Sequence, residues 1–205
     1  MSVAIGLGCA EFPFSGAAAY WRWIDMCEAG GVDSIWQTDR ILSRQPFLES
    51  ITTMAALAGR TRRMRFGMNV VSLAFRDPVL LAKQCATIDV LSDGRLLPAF
   101  GIGSPLAPEW QALGIDTKTR GRKTDECLEI IRRLWREDEV DFDGAFYKLK
   151  GVTIAPKPVQ RDLPRPEDRR QTASRCRCAR CGGSRRRSSR RSTSAGRVAP
   201  ASARW

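Results

Sequence analysis

The chain has 205 residues, 43% of them hydrophobic, and a formal net charge of +12; that length suits one large domain or two small ones. Histidine is absent, which excludes His-dependent triads and HExxH metal sites and removes the commonest ligand of any metal centre. The charge is unevenly placed: residues 1–160 carry 20 Lys and Arg against 19 Asp and Glu, residues 161–205 carry 14 against 3, so the basicity belongs to the C-terminal stretch and not to the body.

The body alternates between two hydrophobic periods. "SVAIGLGC" is a short apolar run without a positive n-region and with Glu11 close behind it, which reads as a buried strand and not as a secretory signal. "AAAYWRWIDMCEAGG" then places Tyr20, Trp23, Ile24 and Cys27 at helical spacing and stops on Gly30 and Gly31. "VDSIWQTD" predicts a second strand. "PFLESITTMAALAG" repeats the helical pattern through Phe47, Ile51, Met54, Leu57 and Ala58, closed by Gly59.

A third strand is expected over "RMRFGMNVVS". After it, "RDPVLLAKQCATIDVLSDG" has Asp77 as N-cap, Pro78 at the first helical position and Gly94 as the stop. "RLLPAFGIG" predicts a fourth strand, and "TRGRKTDECLEIIRRLW" a fourth helix with Leu128, Ile131, Leu134 and Trp135 on one face. Strands alternating with helices imply a parallel sheet, because parallel strands need crossover connections. Polar and glycine residues cluster just after the strands, at Thr38–Arg40, Asn69–Ser72 and Gly101–Pro105, which favours a β/α barrel over an open sheet. "DFDGAFYKLKGVTIAPKPVQ" predicts a hairpin about Asp143 and Gly144 and then an extended lead-in to a further strand.

Cys9, Cys27, Cys85 and Cys127 stand singly in apolar or helical patterns, as reduced, buried thiols of a cytoplasmic protein would. No apolar run approaches the roughly 18 residues of a membrane span, so a soluble body is expected.

The segments "GVDSIWQTDR", "RMRFGMNVVSLAFRDPVLLAKQCATIDVLSDGRL", "FGIG" ahead of "EWQALGI", "RGRKTDECLEIIRRLW" and "DFDGAFYKLKGVTIAPKPVQ" resemble, in order and spacing, the N-terminal half of luciferase-like flavin-dependent oxidoreductases. The resemblance runs over about residues 3–160. It implies the α/β class, a (β/α)8 TIM barrel truncated to about four β-α units, with a flavin lying across the C-terminal strand ends. The implied cofactor is FMN, with the deazaflavin F420 as the alternative, and no metal. The implied chemistry is oxidation of a small organic substrate by reduced flavin and oxygen, or hydride transfer with a deazaflavin.

Carried over by position, the resemblance places Thr38 and Asp39 in the flavin pocket and Asn69 and Val70 against the ring, where relatives often have a non-prolyl cis peptide. Gly101 and Gly103 fall where absent side chains let ring or substrate approach, and Ser104 where sugar-phosphate dehydrogenases using F420 have an acidic residue. Arg40 stands at a position often occupied by an acid–base histidine. A guanidinium stays protonated, so Arg40 cannot act as a base, though it can hold an anionic substrate. A barrel of this type takes about 250 residues and eight strands. The expectation is therefore a half barrel over residues 1–160 that binds flavin poorly and does not turn over alone, unless a homo-oligomer or a complementing chain completes it.

Residues 161–205 are rich in Arg, Ser, Ala, Pro, Gly and Cys and lack Lys. Cys176, Cys178 and Cys181 form CxCxxC with no fourth ligand nearby, which argues against a metal site. The composition is that of GC-rich codons read out of frame, so this stretch reads as a disordered, frameshift-derived tail. The alternative is a basic arm that makes the protein a nucleic-acid binder on a β/α scaffold.

Overall fold

A computed structural model describes residues 4–160. The expectations for the basic tail concern residues outside that range. The elements in chain order are β1 (Gly6–Cys9), α1 (Ala17–Ala29), β2 (Ser34–Gln37), α2 (Ser50–Arg60), β3 (Arg65–Met68), β4 (Val71–Ser72), α3 (Pro78–Leu91), β5 (Leu96–Leu97), β6 (Phe100–Gly101), α4 (Glu109–Ala112), α5 (Arg120–Arg136), β7 (Val140–Asp143) and β8 (Lys148–Val152). Short 3-10 turns occupy Leu73–Phe75 and Thr117–Thr119.

Strands β1, β2, β3 and β5 form one sheet in that order, every pair parallel. Leu7, Ile35, Phe66 and Leu96 lie in one row across it, and Ile35, Phe66 and Leu96 are buried against the helices. The next row, Gly8, Trp36, Gly67 and Leu97, faces the other way, as the alternation of side chains along a strand requires. A Cβ on Gly67 would lie 2.3 Å from the Leu97 carbonyl oxygen and 2.8 Å from the Trp36 ring. Absence of a side chain at 67 is what lets the indole lie across that face. The Trp36 Nε1 donates to Ser34 Oγ at 3.0 Å, which fixes the indole's orientation.

The helices bury the faces that their periodicity assigns. Tyr20, Ile24 and Cys27 on α1, and Ile51, Met54, Leu57 and Ala58 on α2, join Leu81, Ala82, Cys85 and Ile88 of α3 in one core. On α5 the buried stripe is Cys127, Ile130, Ile131 and Leu134, while Leu128 and Trp135 are half-buried. The centre of that face is one position away from the expected one, because the β7–β8 hairpin returns over the helix and brings Tyr147 Oη within 3.5 Å of Cys127 Sγ.

Cap chemistry sets the ends. Asp77 accepts from Leu80 N at 2.8 Å with Pro78 at the first helical position, as expected. At the other end of α3 the Gly94 N–H reaches back to the Asp89 carbonyl at 2.9 Å. Helix α2 departs from expectation: it begins at Ser50, capped by Glu49 through Thr52 N at 2.7 Å, and runs through Gly59 to Arg60. Arg95 caps its C-terminus, donating to the Ala58 and Thr61 carbonyls at 3.0 Å, where a cation meets the negative helix end.

Two expected strands are each broken in two. The peptide bond Asn69–Val70 is cis, and it separates β3 from β4; Pro98 separates β5 from β6. Strands β4 and β6 pair with each other outside the main sheet, through Val71↔Phe100 and Ser72↔Gly101. The hairpin is present, β7 antiparallel to β8, and Glu126 of α5 accepts from the N–H groups of Ala145, Phe146 and Tyr147 at 2.8, 3.0 and 3.3 Å to hold its turn. The chain then returns to the sheet. Gln160 bonds Asp89 twice, at 3.0 and 2.6 Å, and the Leu96 carbonyl at 2.7 Å.

Candidate functional site at the strand ends

All four parallel strands run the same way, so the residues that follow them gather on one edge. Backbone bonds carry the ladder past the strands: Thr38 N to Cys9 O at 3.1 Å, Asn69 N to Gln37 O at 2.8 Å, and Val71 N to Ala99 O at 2.9 Å. Thr38, Asn69 and Ser72 therefore sit together on a common rim. Their side-chain oxygen and amide groups make no hydrogen bond among the described residues. Val70 is 42% exposed, and a Cβ on Gly101 would meet its Cγ2 at 2.7 Å, so Val70 lies over the glycine. Gly103 has a φ of +75° and sits under Trp110 and Ser72, a conformation and a clearance that suit glycine alone.

Asp39 is differently placed from its neighbours. Its side chain is 3% exposed, and its two oxygens accept from Ser50 Oγ at 2.8 Å, Ser72 N at 3.1 Å, and Arg76 Nη1 and Nη2 at 2.8 and 2.6 Å. Four donors leave the carboxylate no free acceptor direction. Asp39 thus ties Ser50, Ser72 and Arg76 together beside the rim. Arg76 also reaches Glu49 at 2.9 Å, which ties the cap of α2 into the same network. Burial pushes the Glu49 carboxyl up, but the Thr52 N–H and the Arg76 guanidinium outweigh it and hold the group below the usual glutamate range.

Further out, Phe75 and Trp110 pack edge to face with centroids 4.3 Å apart, and Trp110 Nε1 donates to the Ser104 carbonyl at 2.7 Å. Ser104 itself is exposed and its hydroxyl accepts from Leu106 N at 3.3 Å. Glu109 is 2% exposed, and one of its oxygens accepts from Ile41 N and Leu42 N, both at 3.2 Å. Arg40 is exposed and makes no hydrogen bond or ion pair among the described residues.

Sequence reasoning did not single out Arg76, Phe75, Glu109 or Trp110. The one available signal is the acid that opens the short stretch "EWQALG". Cys9, Cys27, Cys85 and Cys127 are free, buried thiols, as expected. Among the described residues no cluster of acids, Cys or His is arranged to hold a metal ion, and no helix is long and apolar enough to cross a membrane. A groove of about 510 Å³ between the first turns of α3 and residues Thr153–Ala155 includes none of the rim residues.

Parallel strands, helices on one face and a rim of small and polar residues at the C-terminal strand ends are the parts of a β/α barrel. Residues 14–166 match the family of luciferase-like monooxygenases, and the chain belongs to that family. An F420-dependent glucose-6-phosphate dehydrogenase from Amycolatopsis mediterranei is 32% identical over 146 residues, 65% of this chain and 42% of the relative. Among solved structures, the monooxygenase RslO1 from Streptomyces bottropensis superposes with a TM-score of 0.69 at 28% identity, covering 78% of this chain and 52% of its own. The oxygenating constituent of 3,6-diketocamphane monooxygenase from Pseudomonas putida, solved in complex with FMN, has a TM-score of 0.67 at 20% identity over 80% of this chain and 50% of its own. The chain spans about half the length of these relatives, or less. The family and the barrel fold class inferred from the sequence are thereby established.

Proposed function

We propose that the strand-end rim is one wall of a flavin or deazaflavin site, and that the barrel it belongs to oxidises or reduces a small organic substrate. The observation that carries this reading is the rim itself, where unpartnered Thr38, Asn69 and Ser72 side chains stand beside exposed Val70 and the cleared space at Gly101 and Gly103. Such a surface fits a flat heteroaromatic ring, because Val70 offers an apolar face while the Thr38 and Ser72 hydroxyls and the Asn69 amide can pair with ring oxygens and nitrogens. Support for a flavin-type cofactor comes from the family and from relatives whose names record F420 or FMN.

When bound, the cofactor supplies the electron chemistry, and the protein supplies orientation and exclusion of water. Asp39, saturated by Arg76, Ser50 and Ser72, holds the rim backbone in place. Cys9 takes no part as a base, since burial raises its thiol and Sγ already donates to the Glu11 carbonyl at 3.0 Å. Arg40, a planar guanidinium fork, is the group for an anion.

The phosphate grip of β/α barrels commonly follows strands seven and eight, whereas the described residues supply the first four. We infer that this chain alone holds the ring weakly and discriminates little between FMN and riboflavin. Fluorescence titration of both flavins, and of F420, into the 205-residue protein tests this. Expected is weak, saturable binding with similar affinity for riboflavin and FMN, lost in a Thr38→Val/Asn69→Ala double variant. Tight stoichiometric binding unaffected by those substitutions overturns the assignment of the rim, and no saturable binding of any of the three overturns the flavin site on this chain.

A further inference from the structure

Resting on the reading of the rim as the site, we propose that Glu109 positions Arg40 as the recognition point for a small organic anion: a carboxylate, sulfonate or phosphate monoester. Arg40 is flanked in the chain by two carboxylate anchors, Asp39 before it and Glu109 acting on the residues after it. Before it, the Asp39 side chain is fastened to Ser72 N, Ser50 Oγ and Arg76. After it, the N–H groups of Ile41 and Leu42 both donate to Glu109 Oε1 at 3.2 Å. The backbone of Arg40 is therefore clamped on both sides to the neighbouring β-α units, at the mouth of the sheet.

Two features single out Glu109 as more than a packing residue. It is 2% exposed, and its second oxygen, Oε2, is buried without a hydrogen-bond partner among the described residues. A carboxylate with one oxygen left unsatisfied is a costly way to fill space, since an unpaired buried acceptor is destabilising and a hydrophobic residue of similar volume avoids it. What the carboxylate achieves here is charge-assisted acceptance of two successive backbone N–H groups.

The clamp leaves Arg40 itself unpaired among the described residues. The nearest acid in the chain, Asp39, is neutralised by Arg76, so the Arg40 guanidinium is available to an incoming ligand. Its planar fork binds carboxylate, sulfonate or phosphate at two points, and a fixed backbone reduces the ordering that binding requires.

The test uses the 205-residue protein labelled with 15N-arginine, the Arg40 Nε resonance being assigned from Arg40→Lys, and titrated with inorganic phosphate and with methanesulfonate. The residue-specific signal separates Arg40 from the arginines of the C-terminal stretch. Expected is a saturable shift of the Arg40 resonance, weakened roughly tenfold in Glu109→Ala. In that variant the Ile41 and Leu42 amides also exchange faster. Glu109→Gln, which keeps an acceptor oxygen but loses the charge, falls between wild type and Glu109→Ala in both readouts. If Glu109→Ala does not fold, Glu109→Asp, which withdraws the carboxylate by one methylene, is read the same way.

An Arg40 resonance indifferent to both anions overturns the proposal. So does an unchanged phosphate affinity in a folded Glu109→Ala protein. Repeating the phosphate titration with riboflavin or FMN present separates two sources of the anion: competition by FMN alone makes it the cofactor's phosphate, and competition by neither makes it a substrate group. An Arg40 response in a protein that binds no flavin upholds this proposal while removing the flavin reading, and flavin binding with a silent Arg40 does the reverse.

Discussion

Asp39 and Arg76 meet in a two-point ion pair, 2.8 and 2.6 Å between nitrogen and oxygen, with side chains only 3% and 13% exposed. The pair joins the end of the second strand unit to the loop before α3, and Ser72 N and Ser50 Oγ complete the carboxylate's shell. Removing one partner leaves the other buried and uncompensated. Asp39→Ala is expected to destabilise by about 3 kcal/mol, read as a lower urea midpoint. A change within error of zero means that the pair is not closed in solution.

Acidification weakens the fold through carboxylates whose acceptors are used. Burial pushes the Glu28 carboxyl up, but the N–H groups of Arg63, Arg62 and Met64 and the Arg63 charge outweigh it, leaving the group below the ordinary glutamate range. Its bonds to those N–H groups are 2.6, 3.1 and 3.1 Å. A depressed folded-state pKa contributes stability that is present above the unfolded value, about 4.3, and is lost as pH falls through the folded one. The urea midpoint should therefore fall between pH 5 and pH 3, and fall less steeply in Glu28→Gln. Parallel curves for the two proteins would exclude Glu28 as a contributor.

Two glycines in one row of the sheet make a matched pair of tests. A Cβ at 67 collides with the Leu97 carbonyl at 2.3 Å, whereas a Cβ at 8 meets nothing within 4 Å. Gly67→Ala is expected to cost on the order of 2 kcal/mol or more, the scale of overpacking. Gly8→Ala should stay within about 0.5 kcal/mol of wild type. Thermal melts of both variants decide it, and equal losses would mean that the strands are not in this register.

Buried thiols should resist alkylation. Burial is the main cause that pushes the Cys85 thiol up to about 12, and it raises Cys127 as well. Since the thiolate is the reactive form, iodoacetamide at pH 8 should leave both unlabelled in the folded protein and label both in urea, as peptide mapping would show. Rapid native labelling of Cys85 would place it outside the core.

What could be read from the sequence was what depends on neighbours in the chain. Helix α3 was legible from Asp77 to Gly94 because the cap, the proline and the stop are local chemistry, and the parallel sheet followed from the strand–helix alternation. The interruptions at Asn69–Val70 and Pro98 were not legible as strand ends, since the flanking apolar residues continue a strand-like pattern on both sides. The start of α2 was misjudged because Pro46 and Phe47 imitate a helical first turn, while the side chain that caps the helix belongs to Glu49.

The rim was legible as a cluster of positions and not as a set of roles. The resemblance places Asp39 in the pocket, and only the fold brings Arg76, 37 positions on, to its carboxylate. Glu109 acts on Ile41 and Leu42 across 68 and 67 positions, a distance over which no local pattern carries information.

The indole of Trp36 lies across a row whose neighbouring strand contributes only a glycine. That arrangement makes this face of the sheet adjustable in one direction. Trimming position 36 to a smaller apolar side chain opens space over Gly67, but no side chain at position 67 can refill it, because the obstruction there is the Leu97 backbone itself. Position 67 is thus held to glycine whatever side chain stands at position 36.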